Sequence, residues 1–357
     1  MKKFLLFFSF IFLEASAFAA NFNLFIGSNY IAESTVQRFQ RQNNCTLVQN
    51  FFNDNEEMLA KIVAGANGYS AIVATSYAVD ELARMGKIKP LNKALLPNLK
   101  NIDPKFLNQA YDPNNKYSVP YAYTPVFLAY NQDKLKQLGI VPNTWAVIFD
   151  PKYLQKLKGR VTVFDSSRNV ISAALLYLGK DPNSINPKDL QAARDVIVRA
   201  APYWAKYDSD SYYRGLVRGD IWLSMSYSID IFKTMQDIQQ SHSSIHLNAM
   251  LQREGNMIEL DNLVIPTFNN NDQQAYKFLN LALDSQSALE LSTATGSSVP
   301  NIAALTKLNP QVKNLDWIYP HDMSKIHVFQ AYPPKTRILV NEMWTEIKMS
   351  GSCGCFG

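Results

Sequence analysis

Cysteine is scarce: the chain has 3 in 357 residues, Cys45, Cys353 and Cys355. That excludes a disulfide framework. Histidine is also sparse, at His242, His246, His321 and His327. His242 and His246 have a helical spacing, but their stretch is rich in Ser and Gln and lacks the Glu of a zinc-hydrolase helix. No Gly-x-Ser-x-Gly elbow, phosphate-cradling Gly loop or nucleophile–base pair stands out. Asp208-Ser209-Asp210 lacks the remaining ligands of a calcium loop. The reading therefore assigns no catalytic residue, no metal and no cofactor. Gly and Pro, at 14 and 17, are too few for a collagenous or low-complexity chain. Charge of one sign is not concentrated: the net is +5, with no basic run, so no nucleic-acid partner is expected. With 47% hydrophobic and 18% charged residues, the composition is that of a folded globular chain and not of a disordered one.

Long apolar runs are missing except at the start. Met1-Lys2-Lys3 is basic, Phe4 to Leu13 is apolar apart from Ser9, and Ala15 to Ala20 is rich in small residues. This is the pattern of a secretory signal peptide over 1–19, cut after Ala19 or one residue later. The run is too short to span a bilayer as an anchor, and no Cys follows the cut, so a lipid anchor is not supported. The rest is expected to be soluble and exported. Cys45 reads as a buried residue on an early strand, and 351–357 as a flexible tail.

Hydrophobic periodicity then alternates. Asn23–Ile26, Thr46–Phe52 and Ala71–Ala74 read as strands. Glu33–Gln42, Asn55–Ile62 and Val79–Met85 read as helices between and after them. Such alternation predicts an α/β lobe with a mostly parallel sheet. Tyr117–Tyr130 carries no charge and reads as extended chain crossing towards a second lobe. There Val161–Phe164 and Gly219–Met225 read as strands, and Val170–Leu178, Pro187–Ala200 and Ile229–Gln240 as helices. Asp261–Pro266 is a further strand and Gln273–Leu283 a further helix. At 357 residues, two lobes are also what the limit on a single core suggests.

Five stretches in register carry a resemblance. They are Glu56-Glu57-Met58-Leu59-Ala60-Lys61, Ser76-Tyr77-Ala78-Val79-Asp80, the string Asp112 to Tyr121, Asp261 to Pro266, and Pro300-Asn301-Ile302-Ala303-Ala304. The chain resembles the spermidine/putrescine-binding proteins of bacterial polyamine ABC transporters from about Asn21 to about Lys348. The resemblance implies a two-lobed α/β periplasmic binding protein fold, with a ligand cleft at the hinge between two discontinuous α/β lobes. It places lobe one at 20–125 plus 262–307 and lobe two at 126–261 plus 308–350. It implies a periplasmic monomer that takes putrescine, spermidine or a related amine and passes it to a permease in the inner membrane. A sensor on the same scaffold, or a binder of another solute, remains an alternative.

A polyamine needs carboxylates for its ammonium groups and flat aromatic walls for its methylenes. Carried over by the resemblance, the site comprises Ser28, Asn29, Tyr30, Thr75, Tyr77, Ser166, Asn169, Tyr227, Glu259, Asp261 and Gln330. Asp261 is the central acid, and Tyr30, Tyr77 and Tyr227 are the walls. Asn29, Ser166 and Asn169 stand where the family commonly carries acids, and Glu259 where it carries an aromatic. Asp165 and Asp230 are further acids within reach of a one-residue shift in alignment. Each Tyr would also serve as a core residue, Asp261 as a structural cap, and Glu259 as a solvated strand-edge charge.

Overall fold

The computed structural model describes residues 20–52 and 54–352. The expected leader and the pair Cys353 and Cys355 lie outside the described residues. The strands are β1 (Ala20–Gly27), β2 (Cys45–Phe52), β3 (Ala71–Thr75), β4 (Ser118–Asn131) and β5 (Val161–Val163). They continue with β6 (Lys206–Tyr207), β7 (Leu223–Tyr227), β8 (Leu247–Met250), β9 (Asn256–Val264) and β10 (Ile326–Val328). Their order is β2-β1-β3-β9-β4-β7-β5-β6, with β10 beside β9 and β8 beside β4.

Two parallel sets are joined by antiparallel strands. β1 runs parallel to β2 and β3, and β5 runs parallel to β6 and β7. β9 is antiparallel to both β3 and β4, and β4 is antiparallel to β7 and β8. The sheet is therefore more mixed than the mostly parallel expectation. The reason is topological: β4 leaves the first lobe and β9 returns to it, so the two pass in opposite directions. β4 is buried along its whole length, consistent with its uncharged sequence. From Ser118 to Pro125 it pairs with β9; from Val126 to Asn131 it pairs with β7 and β8.

What launches β4 is Asp112. Its carboxylate accepts the backbone N–H groups of Lys116, Tyr117 and Ser118 and the Ser118 hydroxyl, at 2.7–3.1 Å. Asn114 and Asn115 take left-handed φ values of 60° and 48°, which Asn tolerates better than most residues. The string that marks the family is thus a turn with a buried carboxylate at its centre.

Several boundaries differ from the sequence reading. The helices Ser76–Arg84 and Ser167–Tyr177 each begin three residues before the apolar periodicity does. The chain turns directly out of the preceding strand, and Ser166 caps the second of these helices by accepting from Asn169 N. Gly219 is not in a strand: it ends the unanticipated helix Tyr212–Arg218 at φ 78°, a conformation suited to glycine. β9 begins at Asn256, five residues before the expected start at Asp261. Gly351 and Ser352 belong to the closing helix Pro334–Ser352 and not to a tail. Cys45 is buried at the start of β2. No helix of the described residues is long and apolar enough to cross a membrane.

Each sheet half carries its own helices. Arg38 of Glu33–Asn43 pairs with Glu290 of Ser285–Thr295 at 2.9 Å beside the β1–β3 half. On the β5–β7 half, Arg194 of Pro187–Ala200 meets Glu346 at 3.0 Å, and Asp165 meets Lys348 at 3.0 Å. The closing helix therefore packs on the second lobe.

Candidate functional site

A cleft of about 590 Å³ lies where the ends of β1, β3 and β7 meet the crossing strands. Its walls include Ser28, Asn29, Tyr30, Asn55, Thr124 and Tyr213, together with Tyr227, Asp230, Glu259 and Asp261. No Lys or Arg is among its lining residues. Ligand crevices beyond the carboxyl ends of parallel strands follow the general rule for open α/β sheets.

Glu259 and Asp261 are two apart on β9, so the strand period puts both side chains on one face. The ladder sets Glu259 opposite Thr124 of β4, and Asp261 opposite Thr75 of β3. The Tyr30 hydroxyl donates to Asp261 Oδ2 at 2.6 Å. Tyr30 is itself fixed by Tyr121, whose hydroxyl donates to the Tyr30 carbonyl at 2.8 Å and whose ring meets it edge-on. The Tyr227 hydroxyl donates to Glu259 Oε1 at 2.8 Å, and its ring stacks on Phe164 with 4.3 Å between centroids.

Burial raises the proton affinity of both acids. Glu259 is pushed up to about 7, by burial first and then by the charge of Asp261, while the Tyr227 hydroxyl pulls it back. Asp261 is pushed up to about 6 by burial, partly offset by the hydrogen bond from Tyr30. Two carboxylates close together in a low-dielectric site resist simultaneous ionisation. Burial, and then the neighbouring carboxylate, lift the hydroxyls of Tyr30 and Tyr227 well above the ordinary tyrosine range, so both remain donors.

The other expected positions divide. Ser28 and Asn29 line the cleft and are exposed, Asn29 at a left-handed φ of 57°. Thr75 is fully buried at the end of β3. Ser166 and Asn169 sit in the first turn after β5; the Asn169 amide donates to Ser166 Oγ and to the Tyr227 hydroxyl, each at 3.1 Å. Asn169 Oδ1 is buried without a partner. Tyr77 does not line this cleft: its hydroxyl donates to Glu56 at 2.9 Å, and its ring walls a separate cavity of about 390 Å³ with Arg168 and Tyr332. Gln330 is exposed and contributes its backbone, with its carbonyl accepting from Arg168 at 2.6 Å. Asp165 points to the surface pair with Lys348 and is not a wall residue.

Of the two further acids within reach, the structure places Asp230 in the wall, and it adds Asp210. Asp230 has the more defined setting. It lies in the first turn of the helix Ser228–Gln240, accepts from the Tyr212 hydroxyl at 2.6 Å, and is raised in pKa by burial. The signal was its spacing: three residues beyond Tyr227, it returns to the same helix end. Asn55, Thr124 and Tyr213 had no such signal. Through Asn29, Tyr213, Ile229 and Asp230 the cleft opens into a groove of about 730 Å³ between the lobes. The arrangement can hold a cation: four carboxylates, Asp210, Asp230, Glu259 and Asp261, and several aromatic rings face a space lined by no Lys or Arg.

Residues 34–316 match the family model described as bacterial extracellular solute-binding protein. The chain is 39% identical over 352 residues to a putrescine/cadaverine-binding protein of Pseudomonas aeruginosa, covering 98% of this chain and 99% of that one. It is 28% identical to a putrescine-binding periplasmic protein of Escherichia coli, over 90% of this chain and 89% of that one. Among solved structures, it is similar to a spermidine/putrescine ABC transporter substrate-binding protein from Streptococcus pneumoniae. The TM-score is 0.81 at 23% identity, covering 93% of this chain and 100% of that chain.

Proposed function

Because the chain belongs to the bacterial extracellular solute-binding proteins, we propose that it captures a diamine of the putrescine class in the periplasm and delivers it to an ABC permease. The observation that carries this reading is the cleft wall: Asp210, Asp230, Glu259 and Asp261 line the space, with no Lys or Arg among the lining residues. One ammonium group is met by Asp261 and Glu259 on β9. A second is met by Asp230, on the far side of the cleft. Tyr30, Tyr213 and Tyr227 flank the aliphatic portion. Such rings add cation–π attraction of about 0.5–2 kcal/mol per contact. Ser166 and Asn169 are not among the cleft's lining residues, whereas Asp210 is, beside Ser209, whose hydroxyl accepts from Asp165 N just after β5. The putrescine-binding relatives support a diamine as the ligand.

Residues 1–19 serve as the leader that exports the chain. The lobes divide as 20–125 plus 262–307 and 126–261 plus 308–350, supported by the change of partner of β4 between Pro125 and Val126. Family and relatives are transport components that bind solutes, and the reading contains no chemical step.

A thermal-shift screen of residues 20–357 tests it, with putrescine, cadaverine, spermidine, spermine, amino acids and small carboxylates. A ligand that binds only the native state raises its apparent stability by mass action. Diamines should give the largest shift. A shift with carboxylates alone would move the chain to another ligand class. No shift with any of these solutes would favour a sensor or scaffold role.

A further inference from the structure

Arg168 is the second residue of the helix Ser167–Tyr177 on the second lobe and is only 8% exposed. A cation buried this deeply normally has a carboxylate against it. Among the described residues no carboxylate lies within ion-pair distance of Arg168; the charge that acts on it comes from Glu56, which shares its cavity and accepts from the Tyr77 hydroxyl. Arg168 instead donates to the Gln330 carbonyl at 2.6 Å and lies between two rings, 4.4 Å from the centroid of Tyr77 and 4.1 Å from that of Tyr332. The ring of Phe329 is 5.7 Å away. The Tyr332 hydroxyl is buried without a hydrogen-bond partner, so the ring is held by its face and not by its polar end.

The two close rings come from different lobes. Tyr77 stands in the first turn of Ser76–Arg84, directly after β3 of the first lobe. Tyr332 precedes the closing helix, which packs on the second lobe. The contact of Arg168 with Tyr77 therefore exists only while the lobes are together. Two neighbouring bonds cross the same boundary: Ser76 Oγ to the Phe329 carbonyl and Arg337 to Glu81, both at 2.6 Å. Asn169, the next residue after Arg168, reaches the Tyr227 hydroxyl that holds Glu259. One helical turn thus grips the first lobe through Arg168 and the cleft acid through Asn169.

We propose that Arg168 is a positioning residue for ligand capture, a guanidinium clasp between Tyr77 and Tyr332 that holds the lobes closed and seats Asn169 and Tyr227 against Glu259. The ligand side of this inference rests on the reading given under Proposed function. The clasp itself is read from the side-chain contacts between the lobes.

Small-angle scattering of the ligand-free protein tests the clasp directly. Putrescine titration and stopped-flow release then test its consequence. Arg168→Gln should enlarge the ligand-free radius of gyration, return to the wild-type value at saturating putrescine, and bind roughly tenfold more weakly, with the loss mainly in the dissociation rate. Arg168→Lys keeps the charge but not the planar face and should lie between the two. Tyr332→Leu should behave like Arg168→Gln, whereas Tyr332→Phe should match the wild type because only the ring face is used. Folded Arg168→Gln and Tyr332→Leu proteins with wild-type scattering and release rates would overturn the proposal. If Arg168→Gln fails to fold, the Tyr332 pair and Arg168→Lys decide. If the wild type binds no putrescine, the functional reading falls while the ligand-free scattering still judges the clasp.

Discussion

Replacing Asp261 by Asn should move binding and stability in opposite directions. The amide is nearly isosteric and its oxygen can still accept from the Tyr30 hydroxyl, which is 2.6 Å from the carboxylate now. The charge is what is lost. In the bound state, an ammonium group left without its buried partner costs about 3–5 kcal/mol. One carboxylate remains at Glu259, so we expect the lower end, a loss of roughly 100-fold in affinity. In the empty state the change relieves strain. Glu259 is pushed up to about 7 and Asp261 to about 6, with burial the first cause of each and the charge of Asp261 the second cause for Glu259.

The sign follows from linkage. Both acids have raised pKa values in the folded chain, so they are cost-free below their unfolded values near pH 4. Their cost grows as pH rises from there to the folded values of about 6 and 7, and levels off above them. One pKa unit corresponds to about 1.4 kcal/mol. Asp261→Asn should therefore stabilise the ligand-free protein by about 1–3 kcal/mol at pH 8 and by little at pH 4.5. Thermal melts at the two pH values and calorimetric titration with putrescine at pH 8 measure both effects. A variant that binds like the wild type would refute the role of Asp261. Equal stability changes at pH 4.5 and pH 8 would refute the electrostatic account of the empty cleft.

How much of this was readable from the chain depends on which signal each element carries. Helices such as Asn55–Val63 were legible because their apolar positions Met58, Leu59 and Ile62 fall on one face. Tyr212–Arg218 was not: its Tyr and Arg side chains give little periodicity, and its closing Gly219 reads equally well as the approach to a strand. β9 was found only from Asp261 because its first half, Asn256–Leu260, mixes Asn and Glu with apolar residues. Those polar groups are present for the cleft and for a buried bond from Asn256 to the Val126 carbonyl, not for a solvent face. The carboxylates Glu259 and Asp261 were legible by resemblance, and the strand period explains their shared face. Tyr77 illustrates the limit. Its place in the chain suggested a wall, yet its first-turn position points the hydroxyl to Glu56 and gives its ring face to Arg168. No local pattern reports a partner 91 residues away.

Three further outcomes are expected. Putrescine affinity should rise as pH increases from 5 to 8 and then level off, because protons held on Glu259 and Asp261 must leave before an ammonium group can take their place. Titrations in buffers of different ionisation enthalpy should show proton release near pH 6, and pH-independent binding would refute this. Tyr30→Phe removes a hydrogen bond to a charged group, worth about 1.5–3 kcal/mol to the carboxylate. Calorimetry at pH 6 should show an affinity loss that shrinks at pH 8, where Asp261 ionises without help. Asp112→Ala should separate fold from function. It strips the acceptor from three backbone N–H groups and the Ser118 hydroxyl at the root of β4, in a turn buried at Asp112 and Ser118 and open at Lys116. Each unsatisfied buried donor costs about 1–3 kcal/mol. Partial rescue by water should leave a net loss of roughly 3 kcal/mol, read from urea unfolding. Asp112 lies outside the cleft wall, so the fraction that remains folded should bind putrescine with wild-type affinity. A selective loss of binding at unchanged stability would show that the family-marking turn acts on the ligand, and not only on the strand that carries the chain between the lobes.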